Sequence, residues 1–359
     1  MKNTFPSYYK KFYCIADKCP DTCCAGWEIV VDSESIKKYA ALNGNFADKI
    51  NGLIVTDADG DKIFSSCNGR CPFLLENGLC KMYIELGHDS LCKTCRLFPR
   101  HITYFGARCE TGISLSCPEA ARIIMENPEP ISFETEETNG EIMPTSIDGE
   151  LYFTLLDARK KAIDILQNRK ISIEERICTF LEFAQALNSP IKHLDFDEAK
   201  EIIDGNFPRV EHINSHSRAK RALKRYFDDF AALEVLDTSW RNSLTQAENL
   251  DVSSFGNNEW EYEHLMVYFV FRYFMAAVFD RDILTKAKFA AVSFIVIRQL
   301  QAMHFPTSKA LRTETMQKYS KEVEHSANNM DFLFAAMKKS RFYSIENLIN
   351  ILSEKEKIL

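Results

Sequence analysis

Glycine is sparse in this chain and never grouped. Among its thirteen glycines no two stand two apart, so the sequence holds no G-x-G-x-x-G turn, and no GKS or GKT phosphate loop occurs. Without that backbone cradle, a Rossmann-type methyltransferase or a kinase is disfavoured. Excess positive charge is missing as well. A formal net charge of -7 and a pI near 5.7 argue against a broad phosphate-binding surface, and hence against nucleic acid as a partner. Nor is there a membrane-length apolar run. The most apolar stretch, HLMVYFVFRYFMAAVF at 264–279, is interrupted by Arg272 and closed by Asp280 and Arg281. A bilayer span needs about 20 apolar residues, so this stretch reads as a buried core helix and no membrane contact is expected. The opening residues MKNTFPSYYKKFYC show no apolar run of signal-peptide length and no small-residue cleavage site. Export is therefore not expected, and the cytoplasm is the expected compartment.

What the chain does have is cysteine. Eleven of its twelve cysteines fall between Cys14 and Cys117, and the last is Cys178. In a reducing compartment such a cluster points to metal or redox chemistry rather than to structural disulfides. Cys23 and Cys24 are adjacent, and neighbouring residues reach disulfide geometry only under strain; these two thiols are expected to face something else. Several of the others lie on glycine-bearing turns such as CNGRC and LENGLC, where the fold can turn a thiolate inward and present amide donors to bound sulfur. Zinc sites commonly use paired short-spaced knuckles. The irregular spacings here lack a clean pair of them, and an iron-sulfur cluster held by four thiolates from loops accounts better for their number. Zinc stays open as the alternative metal. The C-x3-C-x2-C pattern of radical S-adenosylmethionine chemistry fails, because Cys19 and Cys23 are followed at the third position by Gly26, and Cys67 and Cys71 by Leu74.

The cysteines also divide the chain. Residues 1–125 read as an irregular metal-cluster domain with short strands at KIFSS and HITYFG and a short helix from about Ser33 to Leu42. Cys117 stands at the N-terminus of a further helix that begins with Pro118, where the dipole favours a thiolate. Residues 126–150 carry eight acidic residues, three prolines and no Lys or Arg, and read as a linker or surface loop. From 151 to 359 the apolar period is helical nearly throughout, with a capping box at Ser172 and Glu175. The fold class expected is mainly α: a cysteine-rich part with a few strands, then an all-α part. His88, His101, His264 and Glu263 read as ordinary structural or exposed groups, whereas Arg272 within the apolar helix must find an acceptor or reach solvent.

Taken together, Cys14, Cys19, Cys23 and Cys24 followed by Gly26-Trp27 and Asp32, then CPFLLENGLCKMYIELG, TCRLFPR and SLSCPEAAR, resemble the flagellin lysine-N-methylases, a branch of the CxxCxxCC-type metal-cluster proteins. The likeness covers about the first third, with a weaker echo in WEYEHLMVYFVFRYFMA. It implies metal ligation by Cys14, Cys19, Cys23, Cys24, Cys71, Cys80, Cys95 and Cys117. Cys67, Cys92 and Cys109 look like additions, and Cys178 like a core thiol. The resemblance further implies a [4Fe-4S] centre and methyl transfer from S-adenosylmethionine to lysine ε-amines of flagellin. Tyr83, Tyr104, Tyr268 and Tyr273 are available for proton handling, but their spacing does not choose among them. The competing reading is a non-catalytic, zinc- or cluster-stapled module that docks a partner protein.

Overall fold

The computed structural model describes residues 1–67, 69–140, 142–208, 215–250, 259–304 and 307–353. Asn68 of the CNGRC turn, Glu141 of the acidic segment and residues 354–359 of the helical part lie outside them.

In the first third the elements are short: β1 (Lys2–Pro6), α1 (Ser33–Ala40), α2 (Asn45–Gly52), β2 (Ile54–Thr56), β3 (Lys62–Phe64), α3 (Lys81–Leu86), α4 (Lys93–Leu97), β4 (Arg100–Phe105), β5 (Arg108–Ile113) and α5 (Pro118–Ile124). The strands expected at KIFSS and HITYFG are β3 and β4. Within the acidic segment Phe133–Glu137 forms β6, which pairs antiparallel with β1. A four-stranded sheet results in the order β4-β5-β1-β6, with β1 parallel to β5 and Asn3 opposite Cys109. Cys117 caps α5 with Pro118 at its first turn, as the sequence predicts; proline suits that position because its missing N–H has no intrahelical acceptor.

Beyond residue 148 the described residues are mainly helical: α6 (Gly149–Leu166), α7 (Ile173–His193), α8 (Phe196–Ile203), α9 (His216–Ala231), α10 (Ser239–Ala247), α11 (Glu259–Tyr273), α12 (Ala277–Asp280), α13 (Ile283–Ala302), α14 (Lys309–Val323), α15 (Ala327–Lys339) and α16 (Ile345–Leu352). Both halves of the Ser172–Glu175 capping box form. Helix α13 is buried on nearly every side and packs against α7, α11, α14, α15 and α16. An apolar sequence all around a helix requires such a central position. The apolar stretch at 264–279 is buried as expected but is not one helix. It stops at Tyr273, where φ opens to -115°, tightens into a 3-10 turn at Phe274–Ala276 and resumes as α12. Among the described residues no helix is long and apolar enough to cross a membrane.

Two cores hold this arrangement. The large one joins the helices to Tyr8, Phe12, Phe105, Ile113, Leu115 and α5. A small one, built on Ile29, Val31, Tyr39, Phe64, Phe73, Met82 and the buried thiol of Cys92, takes in Cys71, Cys80 and Cys95 at its margin.

Candidate functional site at the thiol-rich junction

Backbone pairing brings the thiols together before any side chain is considered. Gly26 donates to the Gly69 carbonyl at 2.9 Å and Cys71 to the Cys24 carbonyl at 2.8 Å, so the CCAG and NGRC segments run side by side. Gly26 and Gly69 hold φ of +100° and +69°, a region in which a side chain is strained. Leu74 bridges Cys80 across the LENGLC turn, and Cys80 and Cys92 cap α3 and α4. Asp32 fixes the second of these caps. Its carboxylate accepts from Ser35 N at 3.0 Å and from Lys93 N at 2.7 Å, and although burial works against its charge, those donors hold its pKa down at about 2.

One group of thiols comprises Cys23, Cys24, Cys71, Cys80, Cys92 and Cys95. Cys23, Cys24 and Cys80 are near enough to share protons, which pushes the Cys24 pKa up, lowers Cys23 and brings Cys80 to about 6. Cys92 and Cys95 divide a proton in the same way, with Cys92 lowered and Cys95 raised. Burial lifts Cys71 to about 11, with Cys80, Cys92 and Cys23 all near enough to add to the rise. A second group joins Cys117 to Cys19 and Cys14. At Cys117 the helix-end amides of Ala120 and Glu119 do lower the thiol as anticipated, but burial outweighs them and the pKa reaches about 12.

Five of the eight cysteines named by resemblance thus stand in the first group and three in the second. Cys92, read from the sequence as an addition, stands with Cys95, and the C-x2-C spacing of the two was the signal. Cys109 lies on β5 with its sulfur 3.3 Å from Asn3 Oδ1, Cys67 is exposed, and Cys178 is half-buried in α7. Among the described residues no three His, Cys, Asp or Glu side chains close on a single point at metal-ligand spacing. A sulfur-only donor set is of the kind a thiophilic metal prefers.

Beside the thiols lies a partly buried polar junction with the helical part. Lys321 of α14 pairs with Asp21 at 2.6 Å, and Gln317 donates to Asp21 at 3.0 Å and to the Ser116 carbonyl at 2.9 Å. His325 stacks on Trp27 with ring centroids 4.5 Å apart, and Phe98 lies 5.4 Å from the same indole. Its Nε2 shares a hydrogen bond with Ser116 Oγ. Burial, reinforced by the charges of Arg272 and Lys321, lowers the His325 pKa to about 4 and keeps the imidazole neutral. Arg272 finds its acceptor in Glu324 at 3.1 Å, and Glu324 also accepts from Tyr268 at 3.0 Å and Tyr273 at 2.6 Å.

Of the four tyrosines singled out in the sequence, Tyr268 and Tyr273 belong to this network; Tyr83 is half-exposed on α3 and Tyr104 lies on β4. His264 is structural, facing the carbonyls of Ile124 and Glu129, and Glu263 turns from it to accept from Arg169 and Arg176. His88 is exposed beside Asp89. His101 lies on β4 against Gly112, where a Cβ would collide with its ring. Sequence reasoning missed Asp21, Ser116, Lys321, Glu324 and His325.

The fold and site define a mainly α protein in which a sulfur-rich lobe meets a neutral histidine and a tyrosine-lined ion pair. Comparison with known proteins gives this a family. The sequence model of the FliB lysine N-methylase C-terminal domain matches residues 159–351, and the chain belongs to that family. It is 34% identical over 133 residues to the lysine-N-methylase of Salmonella typhimurium, covering 35% of this chain and 33% of that protein. It is equally similar to the flagellar biosynthetic protein FliU of Salmonella muenchen, of which 78% is covered. The match thus spans about a third of the length of the Salmonella typhimurium lysine-N-methylase. No solved structure matches.

Proposed function

We propose that this chain transfers a methyl group from S-adenosylmethionine to lysine ε-amines of flagellin in the cytoplasm, and that its thiols hold a [4Fe-4S] centre. The names of its relatives support the lysine and the flagellar target. The observation that carries the chemistry is the neutral imidazole of His325 against Trp27. A lysine with a pKa near 10.4 is protonated at neutral pH and must lose a proton before its nitrogen can attack a sulfonium methyl in line. With a pKa of about 4 the half-buried imidazole, bonded to Ser116, is too weak a base to keep that proton, but it adds no positive charge of its own beside an incoming ammonium, and the ring edges of the Trp27–Phe98 cluster left by the His325 stack would meet the sulfonium. The first thiol group, with Cys80 and Cys23 predisposed to ionise, would hold the cluster, and Cys14, Cys19 and Cys117 stand next to it. When bound, the cluster supplies an anionic, redox-capable core.

The test is anaerobic purification of the full chain and of Cys80→Ser, with iron, zinc and acid-labile sulfide counted per chain. Mass spectrometry of flagellin incubated with S-adenosylmethionine follows. Iron and sulfide in near-equal amounts, reduced in the variant, together with methylated lysines are expected. Stoichiometric zinc without sulfide and no methylation would leave a metal-stapled interaction module in its place.

A further inference from the structure

One donor in the polar junction is left over. Arg272 shares its Nε between Tyr273 Oη at 2.9 Å and Glu324 Oε2 at 3.1 Å, yet its Nη1 is buried with no hydrogen-bond partner. Buried guanidinium donors are almost always satisfied in folded proteins, so an open one marks a place where an acceptor belongs. The group is held firmly. Its central carbon lies 5.9 Å and 5.4 Å from the Tyr268 and Tyr273 ring centroids, and its ion-pair partner Glu324 directly precedes His325, which stacks on Trp27. The open N–H therefore lies at the same junction as the aromatic face of Trp27 and His325.

The charges around it say what kind of acceptor fits. Arg272 is matched by Glu324 and Lys321 by Asp21, so the part of a ligand that meets these two pairs is best charge-balanced in itself. A zwitterionic group is. The planar fork of a guanidinium suits a carboxylate, and the Glu324 carboxylate with its two tyrosines suits the accompanying ammonium. We propose that Arg272 Nη1 binds the carboxylate of an α-amino-acid group, the methionine end of the methyl donor, with the sulfur end directed toward Trp27. This rests on the methyl-transfer reading above.

Calorimetry on the anaerobically purified, metal-loaded full chain tests it, with S-adenosylhomocysteine and 5′-methylthioadenosine as probes. The second carries the nucleoside and thioether but no amino-acid end. Wild type should bind the first at least roughly tenfold tighter, the range of a charge-assisted hydrogen bond. Arg272→Gln should bring the first to the level of the second and leave the second unchanged, with Arg272→Lys in between. Equal binding of both probes by wild type, or an equal loss of both in a folded variant, overturns the Arg272 assignment alone. Failure of wild type to bind either probe overturns the methyl-donor reading and the assignment with it. Circular dichroism serves as the control for folding, and if the glutamine variant does not fold, Arg272→Lys decides, since an unchanged preference for the first probe in that variant also overturns the assignment.

Discussion

At the scale of single residues, the junction is governed by which groups are kept neutral. His325 has a reference pKa of 6.5 and a folded value of about 4. Between those values the unfolded chain binds the proton and the folded chain does not, so stability rises with pH across that window. Read downward, the His325 contribution is intact above pH 6.5, is lost progressively, and levels off below pH 4, with a total of up to about 3 kcal/mol. Urea denaturation of wild type and His325→Gln from pH 7 to 4.5 should show curves that converge toward acid; parallel curves would refute this assignment. Little of it was legible beforehand. His325 follows α14, whose sequence carries no motif, and its partner Trp27 lies almost the whole chain away. Trp27 was conspicuous beside the vicinal cysteines and Arg272 inside an apolar helix, yet no local pattern states that α14 brings Glu324 to one and His325 to the other.

Elements were easier to read than contacts. The Ser172–Glu175 box, Pro118 after Cys117 and the helical period beyond residue 150 are local signals, and local signals survive folding because the backbone answers them directly. What they do not encode is which charged face meets which. Glu263 was read beside His264 as an ordinary group, and the fold makes it the shared acceptor of Arg169 on one side and Arg176 on the other, at 2.8 Å and 3.0 Å, with no exposure of its own. It links α11 to the start of α7. Glu263→Gln leaves Arg169 without its carboxylate and the buried Arg176 with Glu259 alone, and is expected to cost about 3 kcal/mol, the low end for a broken buried pair. Thermal melts by circular dichroism check this, with the exposed ion-pair variant Glu314→Gln, which breaks the surface pair with Lys318, expected to lose less than about 1 kcal/mol.

For the whole molecule, the division into two cores matters more than the division of the sequence. The small core at residues 27–95 buries few large side chains and takes several of its marginal positions from cysteines. A core of that size is marginal unless something staples it. In metal-free protein this lobe is therefore expected to open below the global transition, with hydrogen exchange at residues 27–95 faster than in α13. Metal loading should slow the exchange of the lobe, because binding to the folded form alone stabilises it. Equal protection in the two cores without metal would contradict that picture.

The seam made by α14 also imposes an order in time. Cys117 and every thiol before it leave the ribosome roughly 200 residues ahead of Lys321 and His325, an interval of roughly 10–40 s at ordinary rates of synthesis. Throughout that interval the sulfur-rich lobe exists without the helix that seals Asp21 and Ser116 against it. A nascent chain is thus open to metal delivery, and equally to oxidation, until α14 and the residues after it have been made.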